Sequence, residues 1–213
     1  MAQTHAQVDD GANSIRQQNP SDIIMSQIKL TPVTGAGNAT LSAAAILSGA
    51  IQRTGPTAAY ADVFPSAESI LAACPVLGPG DSFDLLFLNT VAFANTPTQA
   101  AQGIVFGSNT SVAASNTRQY LLTCLAAGVN SVQAVTTTNT SAVLTGFSAI
   151  EILKVRTGMG ASGTGIPANT TVVSVNQTNN TVTLSANATA SGNLIPVTFF
   201  PRIQLDGVFS SAL

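Results

Sequence analysis

From Ser82 onward the sequence runs in short apolar stretches of period two, cut apart by clusters of Gly, Asn, Ser and Thr. SFDLLFLNT sets Phe83, Leu85 and Phe87 on one side and Asp84 and Leu86 on the other; GIVFG, RQYLLTCLA and VNSVQAVTT repeat the rhythm. Successive side chains of a strand point to opposite faces, so such runs can cover one side of a sheet but cannot form the apolar stripe of a helix. The pattern predicts a mainly β chain of antiparallel strands, a β-sandwich or jelly-roll-like body with one or two short helices.

The segment GTGIPANTTVVSVNQTNNTVTLS, residues 163–185, sharpens that expectation because it contains no charged side chain. Alternation puts Val173 and Val175 on one face, with Val182 and Leu184 meeting them across a turn at residues 177–180. Asn179 and Asn180 tolerate positive φ and suit the turn. Thr181, Thr183 and Ser185 take the outer face, where threonine keeps β-propensity without charge. Such a face suits strands lying against other copies of protein, where unpaired charges are costly to desolvate, and Thr183 is therefore an interface candidate. Further on, AIEILKV reads as another strand. In NLIPVTFF, Ile195, Val197 and Phe199 alternate, but Pro196 restricts the strand to an edge or a bulge.

Upstream the signals differ. Residues 1–22 are rich in Gln, Asn, Asp and Ser with few apolar anchors, the composition of an extended arm. Ile23, Ile24 and Met25 form a sticky patch that can dock on its own domain or on a neighbour, or simply belong to a loose tail. LSAAAILSGAIQRTG is Ala-rich, with Thr40 or Ser42 as cap and Gly55-Pro56 as stop, and reads as a short helix that Gly49 weakens. PSAESILAACP is a stronger helix over residues 66–74: Ser66 caps it, Glu68 sits in the first turn, and Pro75 ends it. The organisation read from these signals is an N-terminal arm (1–38), a β-rich body with short helices (39–146) and a C-terminal β-hairpin module (147–213).

Composition bounds the function. With 8% charged residues, 45% hydrophobic residues and a net charge of −2, the surface has to be built from Ser, Thr, Asn, Gln and Ala. Little electrostatic repulsion separates copies, which fits a subunit of an assembly, most simply a homo-oligomer. The basic residues are scattered, so no nucleic-acid footprint is present. No basic start followed by an apolar core marks a signal peptide, and no apolar run is long enough to cross a membrane, so the expected chain starts at or near Met1 with no membrane partner. Cys74 and Cys124 are fifty residues apart without CxxC or CxxH spacing; two buried thiols are expected, with a disulfide between them as the alternative, and no metal or other cofactor. The N-x-S/T sequons, at Asn38, Asn109, Asn139, Asn169, Asn176, Asn179 and Asn187, follow from a chain rich in Asn and Thr.

Catalytic constellations are missing from the pattern, and the chain is not expected to be an enzyme. His5 is the single histidine and lies in the arm. Asp81 and Asp84 are the nearest acids in a structured region, but on one strand they face opposite ways; Asp81 reads as a turn residue and Asp84 as a solvent-face residue. RTGMGASGTG is glycine-rich like a phosphate loop, yet lacks the Lys-Ser/Thr ending and a following helix. Arg53 and Asp62 bracket the turn TGPTAAYA, which opens three readings: a salt bridge, an intersubunit contact or plain surface positions. Tyr60 and Phe64 are either interface anchors or core.

Two segments carry a resemblance. LKVRTGMGASGTGIPANTTVVSVNQTNNTVTLSANATASGNLIPVTF resembles a module that recurs in tailed-bacteriophage virion proteins, with a GTGIP–TTV–VTLS–ATA pattern matched at Gly163, Gly165, Ile166, Pro167 and Thr170. ILSGAIQRTGPTAAYADVFPSAESILAACPVLGPGDSFDLLFLNT is similar to a stretch of phage structural proteins. The chain departs from the module between Val155 and Gly163, where a β-branched strand is usual, and a bulged or broken strand is expected there. The resemblance implies a structural virion component made in the host bacterial cytoplasm. Its expected role is that of a capsid decoration (cement) protein on the capsid surface, with the major capsid protein as partner and a homotrimer as the working form. The alternative it implies is a receptor-binding piece of a tail or head fibre. It brings no catalytic or ligand residue.

Overall fold

The computed structural model describes residues 7–9, 14–16, 28–99 and 102–213. Two short strands, Gln7–Asp9 (β1) and Ser14–Arg16 (β2), pair antiparallel. Then come Lys29–Val33 (β3), the helix Ala43–Leu47 (α1), Gly49–Arg53 (β4), Val63–Phe64 (β5) and the helix Ala67–Ala73 (α2). Ser82–Asn89 (β6), Thr98–Gln99 (β7), Ile104–Phe106 (β8) and Asn116–Ala126 (β9) follow. Next are Ser131–Thr137 (β10), Val143–Leu144 (β11), a 3-10 turn at Ile152–Lys154 and Gly160–Gly163 (β12). Val172–Asn176 (β13), Thr181–Leu184 (β14), Gly192–Phe200 (β15) and Arg202–Ala212 (β16) end the chain. The protein is mainly β, as its period-two runs predict.

The larger sheet has the order β3-β4-β6-β9-β16-β8. Its centre is antiparallel, β6 with β9 and β9 with β16, while β3, β4 and β6 run parallel and β8 runs parallel to β16. Parallel neighbours need a crossover, and α1 and α2 lie in the two crossovers that the β3-β4-β6 order requires. Both helices press small and branched side chains, Ile46, Ala67 and Ile70 among them, onto Phe83, Leu85, Phe87, Tyr120 and Leu122 of the sheet. The predicted parity of SFDLLFLNT holds: Phe83, Leu85 and Phe87 are buried and Asp84 is exposed. Ser66 caps α2 as expected, its hydroxyl accepting from the Ser69 amide at 3.1 Å.

A second core lies in a small sandwich of two three-stranded antiparallel sheets, β10-β15-β12 and β11-β14-β13. Val135, Val197 and Phe199 from the first sheet meet Leu144, Val172, Val182 and Leu184 from the second, with Phe147, Ile152 and Met159 filling the ends. The two cores share two strand passages. Along β9, Cys124 belongs to the first core and Ala126 to the second, and β15 passes through Pro201 directly into β16.

Several expectations are corrected by this packing. The helix predicted from Leu41 stops at Leu47, because Gly49 takes φ +84° and turns the chain into β4; residues 49–53 are an inner parallel strand. AIEILKV is not a strand. Ser148 and Glu151 cap each other reciprocally, Glu151 accepting from the Ser148 amide at 3.0 Å and Ser148 Oγ from the Glu151 amide at 3.2 Å, and this nucleates the 3-10 turn. The segment boundaries also move. Lys29–Val33, placed in the arm, is an edge strand of the larger sheet; residues 131–144, placed in the body, belong to the small sandwich; and β16, placed in the C-terminal module, returns to the larger sheet. Long-range strand pairing decides all three, and no local composition signals it.

Pro196 sits where its strand loses a neighbour. β12 ends opposite Val197, so a residue without an N–H is accommodated one step further on, beside β10 alone. The expected break between Val155 and Gly163 is partial. Gly160–Gly163 does form β12, and it needs small residues, since a Cβ on Gly160 would lie under 3 Å from the ring of Phe200 directly opposite.

Candidate functional site

Three of the groups singled out by sequence, Arg53, Tyr60 and Asp62, converge at one end of the larger sheet. Alternation along AIQR puts Arg53 on the same face as Ile51, so the guanidinium enters the protein at the end of β4. Its Nε donates to both carboxylate oxygens of Asp62, at 3.1 and 3.0 Å, and neither residue reaches solvent. Nη1 donates to the carbonyls of Val33, Gly35 and Thr54 at 3.1, 2.8 and 3.1 Å, and Nη2 to that of Gly37. Asp62 accepts further bonds from the Ala39 amide (2.8 Å) and from Asn95 Nδ2 (3.0 Å). The guanidinium lies 5.0 Å from the centroid of the Tyr60 ring, whose hydroxyl donates to Asn89 at 2.8 Å. Asn89 in turn donates to the carbonyls of Phe93 and Ala113 at 2.7 and 2.8 Å.

This arrangement is a clamp. A buried charge pair is tolerated when its remaining donors and lone pairs are filled, and here the carbonyls of Val33, Gly35, Gly37 and Thr54 fill the donors while the Ala39 amide and Asn95 fill the lone pairs. Of the three readings open for Arg53 and Asp62, the structure selects the salt bridge, inside one chain. Tyr60 and Phe64 are core residues: Phe64 packs edge-on against Phe106 and Tyr120 at 6.4 and 6.2 Å. Burial pushes the phenol pKa values of Tyr60 and Tyr120 well above their ordinary range, with the neighbouring Asp62 adding to the shift of Tyr60. These four residues are therefore not exposed interface anchors. Ile23, Ile24 and Met25, like His5, lie outside the described residues.

Other assignments fall as follows. Thr183 is half-buried on the outer side of β14, paired with Val143 of β11. Asp81 closes a turn, accepting from the Gly78 amide at 2.7 Å, and Asp84 is exposed and accepts from Gln119 at 3.1 Å. Cys74 and Cys124 are free thiols, the first half-buried and the second buried. Among the described residues no three His, Cys, Asp or Glu side chains gather as a metal site, and no helix is long and apolar enough to cross a membrane.

A cleft between the two cores was not legible in the sequence. It has a volume of about 610 Å³ and lies between β8 of the larger sheet and β12 with residues 166–170 of the sandwich, where β15 passes into β16. Ile104, Phe106 and Phe200 give it apolar walls, and Gln99, Asn169 and Arg202 are polar lining groups. Gln102 and Ser162 exchange hydrogen bonds of 3.1 and 3.2 Å between its two sides. Arg202 is the one ionisable side chain among the described lining residues. The segments that make it lie as far apart in the chain as Gln99 and Arg202, and each reads locally as an ordinary strand or turn.

On the outer surface, the sheet β10-β15-β12 turns an uncharged face to solvent. Val132 is 65% exposed, Ala134 and Pro196 face each other across the strands, and Leu194 is 70% exposed with φ +54°. No family model, curated protein or solved structure matches the chain.

Proposed function

We propose that this chain is a structural component of a virus particle, a capsid decoration protein that binds the outer shell and bridges neighbouring subunits. The observation that carries the reading is the outward face of β10-β15, which exposes Val132, Ala134, Leu194 and Pro196 with no charged residue among them. Leu194 strengthens it. A leucine in the left-handed region is strained, and here the strain holds an apolar side chain out in water, a placement that suits a partner surface better than folding alone. The resemblance of residues 153–199 to a phage virion module points the same way. Uncharged patches of this kind bind weakly one at a time, and an assembly with many copies multiplies the gain.

A second reading, a receptor-binding piece of a tail or head fibre, is favoured by the cleft with its single guanidinium. Counting copies in purified particles separates the two. A decoration protein is present in hundreds of copies on the head, as read by quantitative mass spectrometry and by labelling in electron micrographs; a fibre piece is present in a few at the tail. Absence from particles of the phage that encodes it overturns both.

A further inference from the structure

Arg202 and Arg53 show two treatments of a guanidinium in one fold. Arg53 is fully buried and has a carboxylate and four backbone carbonyls around it. Arg202 is half-buried at the start of β16, and its one hydrogen bond among the described residues is a long one, 3.4 Å, to the Gly158 carbonyl. Among the described residues no carboxylate lies within ion-pair distance of it, and the ion pair they hold is Arg53–Asp62. The acid of the same parity on its own strand, Asp206, is about 13 Å away along the strand. That acid is occupied, accepting from Gln204 at 2.6 Å and from the Ser108 amide at 3.3 Å. Desolvation lowers the pKa of Arg202 from its ordinary value, yet a guanidinium stays charged at neutral pH.

The geometry points to the cleft between the two cores as a binding site for a small monocarboxylate with one apolar face, its carboxylate paired with Arg202 and its body against Phe106 and Phe200. The guanidinium fork presents parallel N–H donors that match a carboxylate. One cation, with no helix N-terminus and no second basic side chain in the lining, suits a single negative charge better than a phosphate. The volume is that of a small-molecule site, and the junction of two cores is a usual place for one. Gln99 Oε1 already accepts from the Ile104 amide at 3.1 Å, which leaves its amide nitrogen, with the Asn169 side chain, for hydroxyls or carbonyls of the ligand. Two sources share this chemistry, an acidic sugar and a free organic acid. The inference does not depend on where in a particle the chain sits.

The test is a titration of the intact protein followed by the NMR signals of Arg202 Nε–H and the amides of the cleft, with glucuronate, benzoate and glucose as separate probes at millimolar concentration. Glucuronate or benzoate should shift these signals saturably and glucose should not. A response to glucuronate alone assigns an acidic sugar, and a response to benzoate assigns an organic acid. Arg202→Gln should weaken binding by about tenfold or more. Arg202→Lys keeps the charge without the fork and should fall between the two. Arg156→Gln, at an exposed arginine outside the cleft, should leave affinity unchanged. The inference is overturned if neither carboxylate shifts the signals, if glucose binds as well as glucuronate, or if a folded Arg202→Gln binds like the parent.

Discussion

Val172 and Val173 are neighbours in sequence and opposites in environment: the first is 2% exposed and the second 53%. The register of β13 against β14 shifts between Val172 and Ser174, a bulge that lets Val172 and Val175 both turn inward while Val173 points out. Strict alternation places Val173 inside, and the bulge overrides it. We therefore expect Val172→Asp and Leu184→Asp to destabilise the small sandwich by several kcal/mol, since each buries an unpaired carboxylate. Val173→Asp and Thr183→Asp should stay within about 0.5 kcal/mol of the parent, as surface changes do. Urea unfolding of the four variants checks the register, and a Val173→Asp variant as unstable as Val172→Asp contradicts it.

Much of this hairpin was legible in advance. The turn at residues 177–180, the positive φ of Asn180 and the outward threonines follow from local chemistry. So do α2 with its Ser66 cap and the parity of β6. What escaped the sequence depends on distant partners. One inserted residue in β13 has no composition signal, and the parallel pairing of β3, β4 and β6 is set by crossovers. Arg53 leaves a salt bridge, an intersubunit contact and a surface position all open in the sequence, because its carbonyl acceptors at Val33, Gly35 and Gly37 are invisible from its own neighbourhood. The cleft was illegible for the same reason: β8, β12 and Arg202 meet only through the third dimension.

Alkaline pH should weaken the fold. Burial raises the pKa values of the Tyr60 and Tyr120 phenols and of the Cys124 thiol, so the folded state holds these protons more tightly than the unfolded one. A raised pKa contributes stability that is fully present below the unfolded value and is lost as pH climbs toward the folded one. Loss should begin near about pH 8.5 for the thiol and steepen above about pH 10 for the phenols. Urea midpoints measured from pH 7 to 11 should fall in that order, and Cys124→Ala should remove the first step. A flat profile through pH 11 rules out the burial account of these groups.

Gly160 and Phe200 face each other across β12 and β15 with no room for a methyl group. Gly160→Ala should push the Phe200 ring and cost about 1–3 kcal/mol, as overpacking does. Thermal unfolding reads the loss. A variant as stable as the parent means the ring yields freely.

Leu194 offers a test of the outer face independent of folding. Its φ of +54° is one that asparagine adopts more readily than leucine, so Leu194→Asn should hold or raise stability. Combined with Val132→Ser it removes two exposed apolar side chains from the β10-β15 face. The melting temperature should change little while binding to phage heads, measured by co-sedimentation, falls. If attachment is untouched, the β10-β15 face does not carry the proposed contact with a shell.

The Arg53–Asp62 pair decides whether the charges of this chain serve folding or association. Asp62→Ala leaves a guanidinium buried without its counter-ion, which costs about 3–5 kcal/mol in comparable sites. Arg53→Met removes the donor on which the Val33, Gly35 and Thr54 carbonyls converge, so the loops at residues 33–37 and 54 lose their tie to β4 as well. Each single variant is thus expected to be strongly destabilised. The double variant Arg53→Met/Asp62→Ala removes both charges together and should be more stable than the sum of the two losses implies, with an interaction energy of about 1–3 kcal/mol. Denaturant unfolding of the parent, both singles and the double closes the cycle. An intersubunit role makes a different signature: stability of the isolated chain unchanged and oligomer mass lowered, which light scattering would detect. Additive losses in the cycle contradict a coupled clamp, because two residues that share one hydrogen-bond network cannot be replaced independently.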